Sequence, residues 1–284
     1  MTRTLPDLLI EPVVRMALAE DLGRTGDVTA QACISEDARF SAMFSARQAG
    51  VMAGGAVVRI AVHALDPQAT VTVKVADGEA FEAGTVLVAV EADARALLSA
   101  ERTALNLLGR MCGIATLTRT YVQAVAGTKA RIADTRKTTP GLRALEKHAV
   151  ACGGGLNHRF GLDDAILIKD NHVAVCGGAG EAVRRAKAYA PHLMKVEVEV
   201  DGLDQLDEVL VERPDVIMLD NFSLDDMAEA VRRVRAAAVP VVLEASGGVN
   251  LTTAAGIAAT GVDVISVGAL THSVPQLDIG LDAA

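Results

Sequence analysis

From about residue 130 onward, short runs rich in Val, Ile, Ala and Leu alternate with helical patterns, and this rhythm constrains the fold more than any other feature of the chain. The candidate strands are 131–134, 165–168, 196–200, 216–219, 239–244 and 264–267. Helical patterns at 142–151, 181–189, 203–212, 224–237 and 252–259 lie between them. Such alternation calls for parallel strands, because a strand that returns in the same direction needs a connection long enough to hold a helix. Six strands are fewer than the eight of a closed barrel. An open or reduced α/β barrel is expected, with a doubly wound sheet as the alternative. No G-x-G-x-x-G follows a first strand, which weighs against a dinucleotide fold.

Composition supports this class. Apolar residues make up 51% of the 284, yet aromatics only 2%, and Trp is absent. A core of Ala, Val, Leu and Ile suits parallel strands covered on both faces by helices. The formal charge of -9 and the scarcity of stacking rings exclude a general nucleic-acid binder. No apolar run reaches the roughly 18 residues that span a bilayer, and acidic Asp7 and Glu11 argue against a signal peptide. Cys33, Cys112, Cys152 and Cys176 form no C-x-x-C pair and no zinc spacing, as expected of free thiols in a reducing cytoplasm.

The first third reads differently. A helical pattern at 8–19 leads into a turn-rich stretch, and alternating strands follow at 40–47, 70–75 and 86–90. A helical pattern at 97–108 then runs into the second part. Two domains are expected: residues 1–110, with 271–284 as candidates to join them, and a barrel over 111–270. The segment 78–85 resembles turns of biotinyl and lipoyl carriers, but Lys74, the one lysine before residue 129, falls in a strand pattern rather than at a hairpin tip.

In barrels the chemistry sits at the C-terminal ends of the strands. Here those ends carry Asp134-Thr135-Arg136-Lys137, Lys169-Asp170-Asn171-His172, Glu199, Asp220-Asn221, Glu244-Ala245-Ser246-Gly247-Gly248 and Val267-Gly268-Ala269. Arg136, Lys137, Lys169, His158 and Arg159 would together make an anion-binding mouth in an acidic protein. Glu199 and Asp220 can hold Mg²⁺ through water, accept from ribose hydroxyls, or pair with the lysines. Glu197 shares a strand face with Glu199 and is expected to support it, while Glu244 is expected to order a lysine. Ser246, Gly247 and Gly248, with Gly268 and Ala269, form a candidate phosphate cradle, because glycines allow close backbone approach. His172 reads either as catalytic or as a hydrogen-bonded structural residue. His272 either approaches a phosphate or caps its strand. Ser223 and Asp226 make a capping box, and Gly261 is placed to end a helix.

These motifs, with Glu101-Arg102-Thr103-Ala104-Leu105-Asn106, Thr138-Thr139-Pro140-Gly141, 153–159, 266–273 and the N-terminal Glu20-Asp21-Leu22-Gly23 and Gly26-Asp27-Val28-Thr29, resemble the quinolinate phosphoribosyltransferase family over nearly the whole chain. The resemblance implies an N-terminal α/β sandwich domain and an open α/β barrel. It also implies a cytoplasmic homodimer, or a higher oligomer built of dimers, with one subunit's N-terminal domain covering the partner's barrel. It implies Mg²⁺ as the one cofactor, held by Glu199 and Asp220, and quinolinate and phosphoribosyl pyrophosphate as ligands. Arg102 (serving the partner's site), Arg136, His158 and Arg159 would orient the ring carboxylates. Lys137 and Lys169 would neutralise the departing pyrophosphate, and Thr135, Ser246, Gly247, Gly248, Val267, Gly268 and Ala269 would complete the contacts.

Overall fold

In the computed structural model, residues 4–284 are described. They divide into two compact units. The first gathers residues 4–119, 138–154 and 270–284, and the second 120–137 and 155–269.

The first unit begins with α1 (Asp7–Leu22) and α2 (Val28–Cys33), followed by β1 (Arg39–Ala46), β2 (Gly50–Val51), α3 (Gly55–His63), β3 (Thr70–Val73), β4 (Ala80–Phe81) and β5 (Val86–Asp93). Helix α4 (Ala94–Ala124) starts here, and its last residues, from Thr120, belong to the second unit. Helix α5 (Arg143–Gly153), most of α11 (Ala269–His272) and strand β12 (Ile279–Ala283) also pack in the first unit. Its main sheet is antiparallel, in the order β12-β1-β5-β3. Phe44, Leu87, Met52, Leu97 and Leu108 are among its fully buried side chains. Lys74 continues the ladder beyond β3, donating its N–H to Leu87 O at 2.8 Å, so it has no place at a carrier-like hairpin tip.

Helix α4 runs well past the residue 108 expected from sequence. Gly109 and Gly113 look like helix breakers, costing about 1 kcal/mol each relative to Ala. They are needed for close approach instead: a Cβ on Gly109 would lie 2.9 Å from Leu277 O, and one on Gly113 2.3 Å from Pro275 O.

The second unit contains β6 (Arg131–Ala133), β7 (Ile166–Ile168), α6 (Asp170–Cys176), α7 (Ala179–Tyr189), β8 (Val196–Val200), α8 (Leu203–Glu212), β9 (Val216–Asp220), α9 (Leu224–Ala236), β10 (Val242–Ser246), α10 (Leu251–Ala259) and β11 (Val264–Ser266). Every sheet pairing is parallel, in the order β6-β11-β10-β9-β8-β7. The first two strands of this unit are thus the two edges of the sheet, which is the open barrel expected from six strands. Ser223 caps α9 by accepting from Asp226 N at 3.1 Å, and Gly261 follows α10 with φ +92°. Strand β10 starts later than its apolar run, at Val242, because Ala238 turns with φ +52° and Pro240 has no N–H for a ladder. No described helix is long and apolar enough to cross a membrane.

Candidate active site

Strand periodicity builds the site. Along β8, Val196, Val198 and Val200 share one face, and Glu197 and Glu199 share the other. The parallel register sets Glu199 beside Met218, Met218 beside Glu244, and Asp220 beside Ser246. Alternate residues of neighbouring strands therefore line one cavity of about 570 Å³ at the strands' C-terminal ends. Thr135, Arg136 and Lys137 enter after β6, His158 and Arg159 from the loop before β7, and Lys169 from the end of β7. Glu199, Asp220, Ser246, Gly247 and Gly248 complete the expected members.

Beneath the cavity lies a buried polar layer. Asp134, with no exposed surface, accepts from Asn157 Nδ2 at 2.7 Å and from His158 N at 2.8 Å, which fixes the loop. His158 Nδ1 accepts from Arg159 N at 2.8 Å. That bond leaves the ring proton on Nε2, which donates to Glu197 Oε2 at 2.9 Å. Glu244 Oε1 lies 3.8 Å from the same Nε2 and receives the Ser266 hydroxyl. Burial, and then the nearby Glu197 carboxylate, push the Glu244 acid up. Glu197 and Glu244 thus form an acid pair with His158, in place of the lysine contact expected for Glu244. Glu197 Oε1 is buried without a hydrogen bond among the described residues.

The cationic wall is under electrostatic strain. Arg159 Nη1 donates to Ala165 O at 3.1 Å, while its Nε is buried without a hydrogen-bond partner among the described residues. Desolvation and the charge of Arg136 hold the Arg159 guanidinium below its ordinary pKa. Like charges kept together with unsatisfied donors favour an anionic ligand. Lys169 Nζ is 3.5 Å from Glu199 Oε2. Burial raises the Glu199 acid, Lys169 opposes the rise, and Asp220 adds to it.

At the end of β9, Asn221 adopts φ +55° and donates its N–H to Ser246 O at 3.0 Å. Gly247 has φ +89°, and a Cβ there would stand 2.2 Å from Asn221 Oδ1. Only glycine lets these two strand ends close over the cavity rim. Four lining residues were not among those singled out as site residues from sequence: Leu167, Met218, Asn221 and Ser266. Each falls on the strand alternation or directly follows a strand, so position alone could have found them. Val267, Gly268 and Ala269 are not part of this lining. Val267 is fully buried and donates its N–H to Ala133 O, and Ala269 opens α11. Arg102 is exposed on α4, in the first unit. His172 takes the structural role, accepting from Lys169 N at 2.9 Å in the first turn of α6. His272 Nδ1 pairs with Ser273 Oγ at 2.6 Å.

Comparison with known proteins agrees along the whole chain. The N-terminal domain of quinolinate phosphoribosyl transferase matches residues 27–112, and its C-terminal domain matches 114–282. The nicotinate-nucleotide pyrophosphorylase [carboxylating] of Mycobacterium leprae is 51% identical over 274 residues, covering 95% of each chain. A probable enzyme of the same name from Bacillus subtilis is 42% identical over 97% of this chain and 93% of its own. The nicotinate-nucleotide pyrophosphorylase structure from Francisella tularensis superposes with a TM-score of 0.94 at 38% identity, covering 100% of this chain and 99% of that one. Human nicotinic acid phosphoribosyltransferase, 14% identical with a TM-score of 0.57 over 99% of this chain and 74% of its own, shares the fold alone. The chain belongs to the quinolinate phosphoribosyl transferase family.

Proposed function

We propose that the chain joins quinolinate to phosphoribosyl pyrophosphate, giving nicotinate mononucleotide, pyrophosphate and CO₂ on the way to NAD. The observation that carries this is one cavity holding a pair of mutually repelling guanidiniums and, separately, a carboxylate pair with a lysine. A dicarboxylate matches the first group, and a ribosyl pyrophosphate the second.

The pyridine nitrogen attacks the anomeric carbon, and the bond to pyrophosphate breaks with its electron pair leaving on oxygen. Lys137 and Lys169 neutralise the charge that grows on the leaving group. Arg136, Arg159 and Arg102 hold the ring carboxylates, with the His158 ring, locked between Arg159 N and Glu197, beside them. Glycosylation makes the ring nitrogen cationic. The bond to the 2-carboxyl then breaks, CO₂ leaves, and the pair left on carbon is stabilised by that charge until it takes a proton. Ser246, Gly247 and Gly248, which line the cavity at the end of β10, provide the 5′-phosphate cradle.

The oxygen-rich set at the rim fits Mg²⁺, a hard cation that prefers carboxylates and water. Glu199 and Asp220 would hold it, and when bound it supplies further neutralisation of pyrophosphate. The enzyme works in the cytoplasm as a homodimer, or an oligomer built of dimers, with Arg102 serving the partner subunit's cavity.

The primary test is release of CO₂ and pyrophosphate from quinolinate, with nicotinate as control. Equal turnover of nicotinate would overturn the substrate assignment. For the shared site, Arg102→Ala and Lys169→Ala are each expected to be nearly inactive alone. Mixed and re-paired at random, they should recover up to about a quarter of wild-type activity, because one cavity of a mixed dimer collects both lesions. Continued inactivity after proven subunit exchange would place Arg102 outside the partner's site.

A further inference from the structure

The first unit contains a second polar cluster that the proposed reaction does not use. His148 and Cys152 stand one helical turn apart on α5, and Asp77 comes from the turn between β3 and β4. His148 Nε2 lies 2.7 Å from Asp77 Oδ2 and 3.4 Å from Cys152 Sγ. His148 and Cys152 are buried, and all three ligand atoms fall within 4.8 Å of one another.

The arrangement excludes a nucleophilic triad. A triad places the acid on one ring nitrogen and the nucleophile on the other. Here a single nitrogen faces both. One ring nitrogen carries either a proton or a lone pair, so it cannot serve both neighbours well. If Nε2 donates to Asp77, it offers the Cys152 thiol no lone pair to donate to. If Nε2 accepts from the thiol, its lone pair confronts a carboxylate oxygen.

A cation at the point where the three atoms converge resolves the conflict, because it takes the lone pairs of all three. We infer that Asp77, His148 and Cys152 form a binding site for a borderline-soft divalent ion of the Zn²⁺ type. Mixed O, N and S donors select such an ion over Mg²⁺. With Asp77 and Cys152 as anions and His148 neutral, the bound site would carry no net charge, which suits a buried position. Asp77 Oδ1 already accepts from Gly54 N at 3.0 Å and Gly55 N at 3.2 Å, so the carboxylate is held in place by the start of α3. Cys112 Sγ is engaged with Ala53, accepting from its N at 3.4 Å, and lies outside this group of ligand atoms. The cysteine spacing gives no sign of this site, because one ligand lies 71 residues from His148.

The test uses untagged full-length protein with Co²⁺ as a spectroscopic probe and Zn²⁺ as its competitor. Wild type should bind one ion per chain and show a thiolate-to-cobalt charge-transfer band that Zn²⁺ abolishes and Mg²⁺ does not. The band should persist when exposed Cys33 and half-buried Cys176 are replaced by Ser, and vanish in Cys152→Ser and His148→Gln. Zn²⁺ should raise the melting temperature of wild type and of the Cys33/Cys176 variant, but not of Cys152→Ser or His148→Gln. Cobalt uptake without a thiolate band in wild type would overturn the site, as would a band that depends on Cys33 or Cys176. Both readings on the wild-type fold hold even if a cluster variant fails to fold.

Discussion

Buried charge is handled differently at the Arg110–Glu146 pair of the first unit and at the cavity of the second. In the first, Arg110 grips the fully buried Glu146 through Nε at 2.8 Å and Nη2 at 2.6 Å, and the same Nη2 reaches Thr139 Oγ1 at 2.7 Å and Thr271 O at 2.9 Å. The other oxygen of Glu146 accepts from Thr139 N at 3.1 Å. This pair ties together α4, α5, the loop before α5 and the C-terminal segment. In the second unit, Arg159 Nε and Glu197 Oε1 are buried without hydrogen bonds among the described residues, and Arg159 is repelled by Arg136. A satisfied ion pair marks scaffold. An ionised group held short of its partners marks a place prepared for a ligand.

Two substitutions put that contrast at risk, and they carry the largest expected effects. Arg110→Ala leaves Glu146 buried and unpaired, so it should cost about 3–5 kcal/mol of stability. Lys169→Ala should behave in the opposite way. Its ammonium is half exposed, so stability should hold, while kcat falls by roughly 10²–10³-fold through lost stabilisation of the leaving group. Denaturant unfolding and saturating kinetics on both variants separate the two outcomes. Wild-type turnover by Lys169→Ala would remove it from the leaving-group role. Normal stability of Arg110→Ala would dissolve the distinction between the units.

The Glu244 acid gives a pH-dependent version of the comparison. Its folded pKa is about 7, above the unfolded value near 4.5, because burial and Glu197 disfavour the anion. The folded state therefore binds the extra proton between those values, and stability is lost as pH rises through that window. Glu244→Gln should escape this loss, so the stability difference between wild type and variant should change between about pH 4.5 and 7 and level off above. A difference that stays flat across that range would mean Glu244 is ionised throughout.

What the sequence displays and what it hides follow from this physics. Lys169, Glu199 and Asp220 are legible because parallel strands bounded by helices leave polar residues one obvious place, the strand ends. The open barrel is legible from the number of strands. Leu167 and Met218 are hidden because an apolar residue lining a cavity looks like any core residue. The full length of α4 is hidden because Gly109 and Gly113 meet the backbone of a segment more than 160 residues away. The pairing of β12 with β1 spans more than 230 residues, while α5 is held in the first unit by nearer contacts, such as Arg110 to Glu146 and His148 to Asp77, 36 and 71 residues apart. His172 reads as ambiguous because a capping imidazole and a catalytic one share the same local sequence.

The smallest expected effect asks whether the two units lose their folds together. The chain passes between them at residues 119/120, 137/138, 154/155 and 269/270, so neither unit is continuous in sequence. Interleaving of this kind should bind their unfolding into one transition, since no cut frees one unit whole. Helix caps test this without touching the cavity. In the first unit, Asp27 caps α2 by accepting from Ala30 N at 2.9 Å. In the second, Ser223 caps α9 by accepting from Asp226 N at 3.1 Å. Replacing either by Ala removes one bond to an otherwise unsatisfied helix N–H and should cost about 1 kcal/mol. For a chain of this size that lowers the melting temperature by roughly 2–4 °C. Calorimetry should show a single endotherm that both variants shift alike, with kcat and KM for quinolinate unchanged. Two endotherms, with Asp27→Ala moving one and Ser223→Ala the other, would show that scaffold and site unfold independently despite the four crossings.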